Sequence, residues 1–375
     1  MARLSADPAT GRVLGIAALL LAQLVLLPMT SAEARRLPPR DRDEETAAVP
    51  ARKPDGPLQI IISIGSQRLW VYDKHGLLET SIVSTGTGGF PTPTGVFAVI
   101  DKEKTHYSNI YGGASMPNMQ RLTMSGVALH SGVTTGRPAS HGCIRLPHGF
   151  SIKLFNLTQL GVRVIVAPNE PKPAEIAHPR LFVMKPPPAP EPLDLGRAKG
   201  IAVASANAMT EAIGNARVGK ITAWRTGVLR SLPVSVFVSK AEGKVFVRHG
   251  FRQILEAPAT IRDPGRLLGT HVYQAAERLD DAGTMRWFSV TVPATEQGIA
   301  RSRKVSRASS SEAEPLVAAG PPSTAAEALD RIELPQEAID RISEMLTPGA
   351  SLIVSDYGNN REMRETGTDF IVLTR

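Results

Sequence analysis

The residues best equipped for covalent chemistry lie between Ala128 and Pro147, in the run ALHSGVTTGRPASHGCIRLP. It holds the only cysteine of the 375-residue chain, Cys143, directly after Ser140, His141 and Gly142. A lone cysteine cannot be half of an intramolecular disulfide, so it is either a buried inert thiol or a reactive one. An unperturbed thiol has a pKa near ~8.5 and is only a few per cent thiolate at neutral pH. A nucleophilic role therefore requires a base or a positive field. His130 is the candidate base: Gly126-Val127-Ala128-Leu129 reads as a short apolar strand that delivers the imidazole at its end. The glycine-rich loop Gly132 to Gly142 is then long enough to fold back and bring Cys143 alongside. Gly142, without a Cβ, can take backbone conformations closed to other residues, which would turn its own amide and that of Cys143 toward a developing oxyanion. Arg145 follows on alternate spacing, placed to hold a substrate carboxylate or to raise the local potential. No carboxylate lies nearby in sequence, so the group that orients His130 is expected to be a backbone carbonyl, that of Ser131. His141 is assigned to placing the loop or binding substrate, and Ser140 to fixing the loop by hydrogen bonds. His130, His141 and Cys143 are all zinc-ligand types. Two of them are only two residues apart and no fourth ligand is evident, so no metal or other cofactor is expected.

The elements that must position these groups are short. Segments 58–64 and 68–72 alternate apolar and polar residues around Gly65-Ser66-Gln67, a β-hairpin pattern. Segments 79–85, 96–100, 127–130 and 162–167 read as further strands, and 150–157 carries helical spacing. Short strands separated by Gly/Pro turns predict a mainly β fold, a sandwich or open barrel with a short helix.

His-Ser-Gly at 130–132 followed by SHGCIRLP at 140–147 resembles the active-site signature of the L,D-transpeptidases, the YkuD-type catalytic domain of bacterial cell-wall synthesis. PTPTGVF at 91–97 is similar to that family's strand-turn element. The resemblance covers roughly Gly56 to Pro168, under a third of the chain. It implies that Cys143 attacks the third residue of a peptidoglycan stem tetrapeptide, expels the terminal D-alanine, and passes the acyl group from a thioester to an amine. His130 is then the general acid/base, Gly142, His141 and Ser140 form the oxyanion loop, and no cofactor is needed. A flap before the catalytic histidine would correspond to 105–120, with Tyr107, Tyr111 and Met116 lining a groove; Arg145, Ser131, Tyr111 and Met116 are the expected substrate contacts. Two alternatives stay open: an L,D-carboxypeptidase or wall-linkage hydrolase using the same pair, and a non-catalytic wall-binding protein.

Residues 1–34 read as a signal peptide or membrane anchor: Arg3 and Arg12 precede an apolar run from Val13 to Met29, followed by small residues. This predicts export to the periplasm or cell envelope, with inner-membrane association through that segment. Residues 35–56 read as a flexible linker, 57–168 as the catalytic domain, and 169–231 as a Pro-rich linker plus a helix over 196–218. Residues 232–375 repeat the first domain's signals without its chemistry. Val236 to Val247 mirrors Ile60 to Val71, His249-Gly250 and Gly269 lie 174 residues after His75-Gly76 and Gly95, and Ile332-Glu-Leu-Pro335 lies 188 after Ile144-Arg-Leu-Pro147. At the latter offset Cys143 falls on Arg331 and Arg145 on Glu333. The expectation is a degenerate YkuD-like second copy with a disordered insert at about 298–324. The net charge of +8 suits an anionic wall or membrane, and no nucleic-acid motif is present.

Overall fold

Two strands with apolar centres lie in the middle of the first unit. β1 (Gln59–Ser63) and β9 (Arg163–Ala167) are buried throughout, as strands covered on both faces must be. They pair in parallel, with Gln59 opposite Arg163. β2 (Arg68–Asp73) folds back on β1 as a hairpin, and β3 (Gly76–Ile82) continues it as a half-exposed edge. β4 (Gly95–Ala98) lies antiparallel on the other side of β9, and the last strand of the chain, β19 (Val372–Leu373), pairs with β4. The sheet order is β19-β4-β9-β1-β2-β3. The structure is a computed structural model that describes residues 52–185, 229, 231–293, 321–363 and 367–374. The expected signal segment, the 196–218 helix and most of the expected insert lie outside the described residues.

A parallel pair needs a long connection. Here that connection carries a second, four-stranded sheet, β5 (Asp101–Glu103), β6 (Met119–Arg121), β7 (Ala128–Ser131) and β8 (Ile144–Leu146), in that order. Helix α1 (His148–Leu157) follows after Pro147. Its carboxyl end is capped by Lys102, whose Nζ donates to the carbonyls of Phe155 and Thr158, both at 2.6 Å. A cation is favoured there by the helix dipole, although burial pulls this amine down to about 8. The cap ties β5 to α1.

The second unit is built on the same plan. β11 (Ser235–Ser239), β12 (Lys244–His249) and β13 (Arg252–Pro258) form the meander, β18 (Ser351–Ser355) returns parallel to β11, and β15 (Thr270–Arg278) lies antiparallel to β18. β16 (Met285–Val292) and β10 (Ala174–Ile176) extend that edge, giving the order β10-β16-β15-β18-β11-β12-β13. Ile60 faces Val71 in one hairpin and Val236 faces Val247 in the other, with a bulge at Val71/Tyr72 and again at Val247/Arg248. The bridge Ser84–Arg145 has its counterpart in β14 (Thr260–Ile261) against β17 (Ile332–Glu333), where Thr260 faces Glu333. Helices α2 (Ala325–Asp330) and α3 (Gln336–Glu344) flank β17. The registers correct one detail: the amino-terminal offset is 176 throughout, so Gly76 opens β3 where Arg252 opens β13. The glycine match at 174 is a slip of two residues, because glycine marks turns whose exact position differs between the units.

Residues Val49–Arg375 form one compact unit, and the large sheets share a core. Ile61, Phe97 and Ile165 of the first pack with Phe237, Val272 and Ile353 of the second. Between them Arg163 is fully buried, paired with Asp369 at 3.0 Å and hydrogen-bonded to Ser235 and Ser351, the partners a buried guanidinium requires. Three expectations are therefore corrected. The linker at 35–56 is tied down at its end, where Arg52 pairs with Asp73 and the Asp55 amide donates to the same carboxylate. The Pro-rich stretch 169–185 is no free linker: β10 pairs with β16, and Leu181 and Phe182 are buried in the second core. Thr324, placed in the disordered insert, is the N-cap of α2 in a capping box with Glu327.

Candidate active site

β7 and β8 run parallel, and their register sets the chemistry. Leu129 faces Ile144, His130 faces Arg145 and Ser131 faces Leu146. Side chains alternate along a strand and paired residues share a face, so His130 and Arg145 project together, and Cys143, two before Arg145, joins them. All three line one cavity of about 540 Å3. Leu129 and Ile144, on the opposite face, are fully buried in the main core. The apolar alternation that folds the strands therefore also aims the polar residues.

His130 Nδ1 lies 2.8 Å from the Ser131 carbonyl. A carbonyl only accepts, so Nδ1 carries the proton and Nε2 presents its lone pair. The expected orienting carbonyl is thus in place, with no carboxylate behind the ring. Burial lowers the imidazole pKa, the Ser131 carbonyl partly offsets that, and Arg145 and His106 lower it further. Burial raises the Cys143 thiol, against smaller lowering by the Ala128 backbone and Arg145. Both groups are therefore neutral near pH 7. The thiol donates to the Gly126 carbonyl at 3.6 Å.

The loop before the thiol is fixed by its own polar atoms. Ser140 is buried, donates from Oγ to the Cys143 carbonyl and accepts the Gly142 amide at 3.2 Å. Its backbone is held by Thr85 and Thr87, and Thr92 Oγ1 donates to the Gly142 carbonyl at 2.8 Å. Gly142 adopts φ +111°, a region closed to residues with a Cβ. The expectation for its amide is corrected: it points at Ser140 Oγ, leaving the Cys143 amide, which donates to no described group, as the donor open to an oxyanion. His141 is exposed, its ring between Phe90 and Tyr111 at centroid distances of 4.6 and 5.1 Å, and Tyr111 also donates to the His141 carbonyl at 3.4 Å.

Tyr111, Met116 and Ser131 line the cavity as expected, but Tyr107, 62% exposed, does not. Ser131 Oγ sits 3.1 Å from His148 Nδ1, so its hydroxyl is engaged with the first residue of α1. Sequence reasoning missed Arg121 and His106, which also line the cavity. Arg121 lies on β6, a strand too short to announce itself. No Asp or Glu is among the lining residues, whereas Arg121 and Arg145 are. Arg121 has Asp101 at 3.9 Å behind it.

The sequence profile of the L,D-transpeptidase catalytic domain, YkuD, matches residues 57–166. Residues 57–166 are a YkuD domain. The match takes in β1 through nearly all of β9 and contains every residue of the site above. Among solved structures the chain is similar to the L,D-transpeptidase of Stackebrandtia nassauensis (27% identity, TM-score 0.29, covering 34% of this chain and 62% of that one). It is also similar to L,D-transpeptidase 1 of Mycobacterium tuberculosis (28% identity, TM-score 0.27, covering 30% and 62%). The chain thus spans less than two thirds of either structure. No curated protein matches it.

Proposed function

We propose that the protein is a peptidoglycan L,D-transpeptidase working through a thioester on Cys143. The observation that carries the proposal is the His130 ring, pinned at Nδ1 on the Ser131 carbonyl and projecting with Cys143 from one face of paired strands. His130 Nε2 takes the thiol proton as the sulfur attacks the carbonyl of the third stem residue. The oxyanion accepts from the Cys143 amide. The C–N bond to the terminal D-alanine breaks, and His130 returns the proton to the leaving amine. The amine of a second stem then enters, loses a proton to His130 and displaces the sulfur. Arg145 and Arg121 gather the carboxylates of the stem peptide.

The second unit is, on this proposal, a degenerate copy. Arg331 stands at the position of Cys143 and donates to the carbonyls of Arg262, Asp263, Arg266 and Leu267 and to Ser323 Oγ. A guanidinium so engaged closes the place where a reactive thiol would sit. We place the protein in the cell envelope on the strength of the N-terminal sequence pattern alone.

Intact-mass labelling with a carbapenem, an acylating β-lactam, tests the enzyme reading. A single adduct is expected on the parent, absent in Cys143→Ala and formed about 10²–10⁴-fold more slowly in His130→Ala. Incubation with stem tetrapeptides then separates cross-linked dimer from trimmed tripeptide, the product of a carboxypeptidase. A parent that takes no adduct and turns over no stem peptide overturns the proposal.

A further inference from the structure

The turn between β6 and β7 is held from the far end of the chain. Leu122 N donates to Val127 O at 2.8 Å, Gly126 N to Thr123 O at 3.2 Å and Val127 N to Thr123 Oγ1 at 2.9 Å. These bonds leave the tip amides of Met124 and Ser125 pointing outward. Both donate to one carboxylate oxygen of Glu362, at 2.6 and 3.1 Å. Glu362 is itself anchored. Its amide donates to Asn360 Oδ1 at 2.9 Å, Asn360 donates to the Ile371 carbonyl at 2.6 Å, and Arg248 of the second unit donates to the neighbouring Met363 carbonyl at 2.8 Å. Met124, Ser125 and Gly126 are also part of the cavity wall, and the Gly126 carbonyl accepts the Cys143 thiol.

We propose that Glu362 is a positioning residue: by pinning this turn it holds the Gly126 carbonyl against Cys143 and keeps the thiol protonated in the resting protein. The C-terminal segment is thereby part of the machinery that sets when the thiol ionises. The sign follows from two effects that agree. A thiol that donates a hydrogen bond is stabilised in its neutral form, and a turn held in place keeps the sulfur desolvated. Burial is the largest influence on this thiol and raises its pKa. The other titratable groups around the cavity are Arg145 on β8, His130 on β7, Arg121 on β6 beside Asp101, His106 beside Glu103, Tyr111, and His141 on the thiol's own loop. None of them touches the turn's outward amides.

The inference rests on Cys143 being the reactive thiol, and its test is independent of the transpeptidase reaction. Alkylation by iodoacetamide, followed by intact mass, reports one site because the chain has one cysteine. The parent, Glu362→Ala and Glu362→Gln are compared as full chains across pH, with the melting midpoint recorded for each. Glu362→Ala is expected to move the alkylation midpoint down by about half to one pH unit, so that alkylation near pH 7 runs roughly three- to ten-fold faster. Glu362→Gln keeps an acceptor but no charge and falls between. If Glu362→Ala melts below the assay temperature, Glu362→Gln decides. A midpoint that stays put or rises in the folded variant overturns the inference, even if the melting midpoint falls. A parent that alkylates at Cys143 yet never accepts a carbapenem would instead remove the functional reading and leave this one standing.

Discussion

The resting state of the Cys143–His130 pair is open to direct measurement. Burial pushes the thiol up and the imidazole down, so the stable form near neutrality is thiol plus neutral imidazole rather than thiolate plus imidazolium. A thiol at its ordinary pKa of ~8.5 is about 3% ionised at pH 7, and a raised one less. The rate constant for iodoacetamide alkylation of the parent at pH 7 should therefore be below about one thirtieth of its high-pH plateau. The midpoint should lie above ~8.5, with only a minor inflection below ~6.5, where His130 titrates. The same argument assigns His130 its role. With no preformed ion pair, the proton must move as the sulfur attacks, so removing the base slows acylation by carbapenem far more than it slows alkylation at high pH. A plateau already reached by pH 7 would show a thiolate held by imidazolium and refute the neutral-pair reasoning.

Other consequences concern the frame around that pair. Ser140→Ala leaves the buried Gly142 amide and Cys143 carbonyl without their side-chain partner, a cost of about 1–3 kcal/mol. It should lower the melting midpoint yet still yield a carbapenem adduct on Cys143; an adduct lost here but retained in Cys143→Ala would make Ser140 the nucleophile. Arg331→Met strips five hydrogen bonds from the second unit and should destabilise the protein by roughly 3 kcal/mol or more. Its acylation rate at Cys143 should equal the parent's. His130 and His271 both have imidazole pKa values lowered mainly by burial. Keeping them neutral contributes stability that is fully present above ~6.5 and lost as pH falls through their depressed folded values. Melting midpoints should therefore drop on acidification below ~6.5, and His271→Gln should shrink that drop.

Where the sequence was legible, apolar runs did the work. The runs that announce the strands near 58–64 and 162–167 are those that β1 and β9 bury on both faces, so pattern and packing say the same thing. His130 and Cys143 were legible because their neighbours are polar residues and glycines with little else to do: Gly142 needs its positive φ, and Ser140 bonds both ends of the loop it starts. What escaped was the three-residue strands β5, β6 and β8. They are shorter than the run of about four residues over which alternation can be read, and they exist because their neighbours pair with them. Arg121 was missed with β6. Likewise the Pro-rich stretch containing Leu181 and Phe182 has linker composition, and only packing into the second core makes those two side chains core residues. Glu362 carries no local signal at all, since the two amides it accepts lie more than 230 residues away in sequence.

The two units differ where the proposed chemistry sits. Both have the three-stranded meander with its parallel return, the same bulge and the same short bridge ahead of a helix that starts after proline. None of these features needs a cysteine. What differs is the stretch between the strand antiparallel to the return strand and the bridge. In the first unit it forms β5, β6 and β7, and β7 is the strand that puts an imidazole opposite Arg145. In the second unit β15 runs straight into the hairpin with β16, and among the described residues β17 pairs with β14 alone. Among the described residues no strand of the second unit stands where β7 would. On the proposed mechanism, Ser-His-Gly-Cys grafted at 328–331 without the sheet that carries β7 should give a protein that takes no carbapenem there.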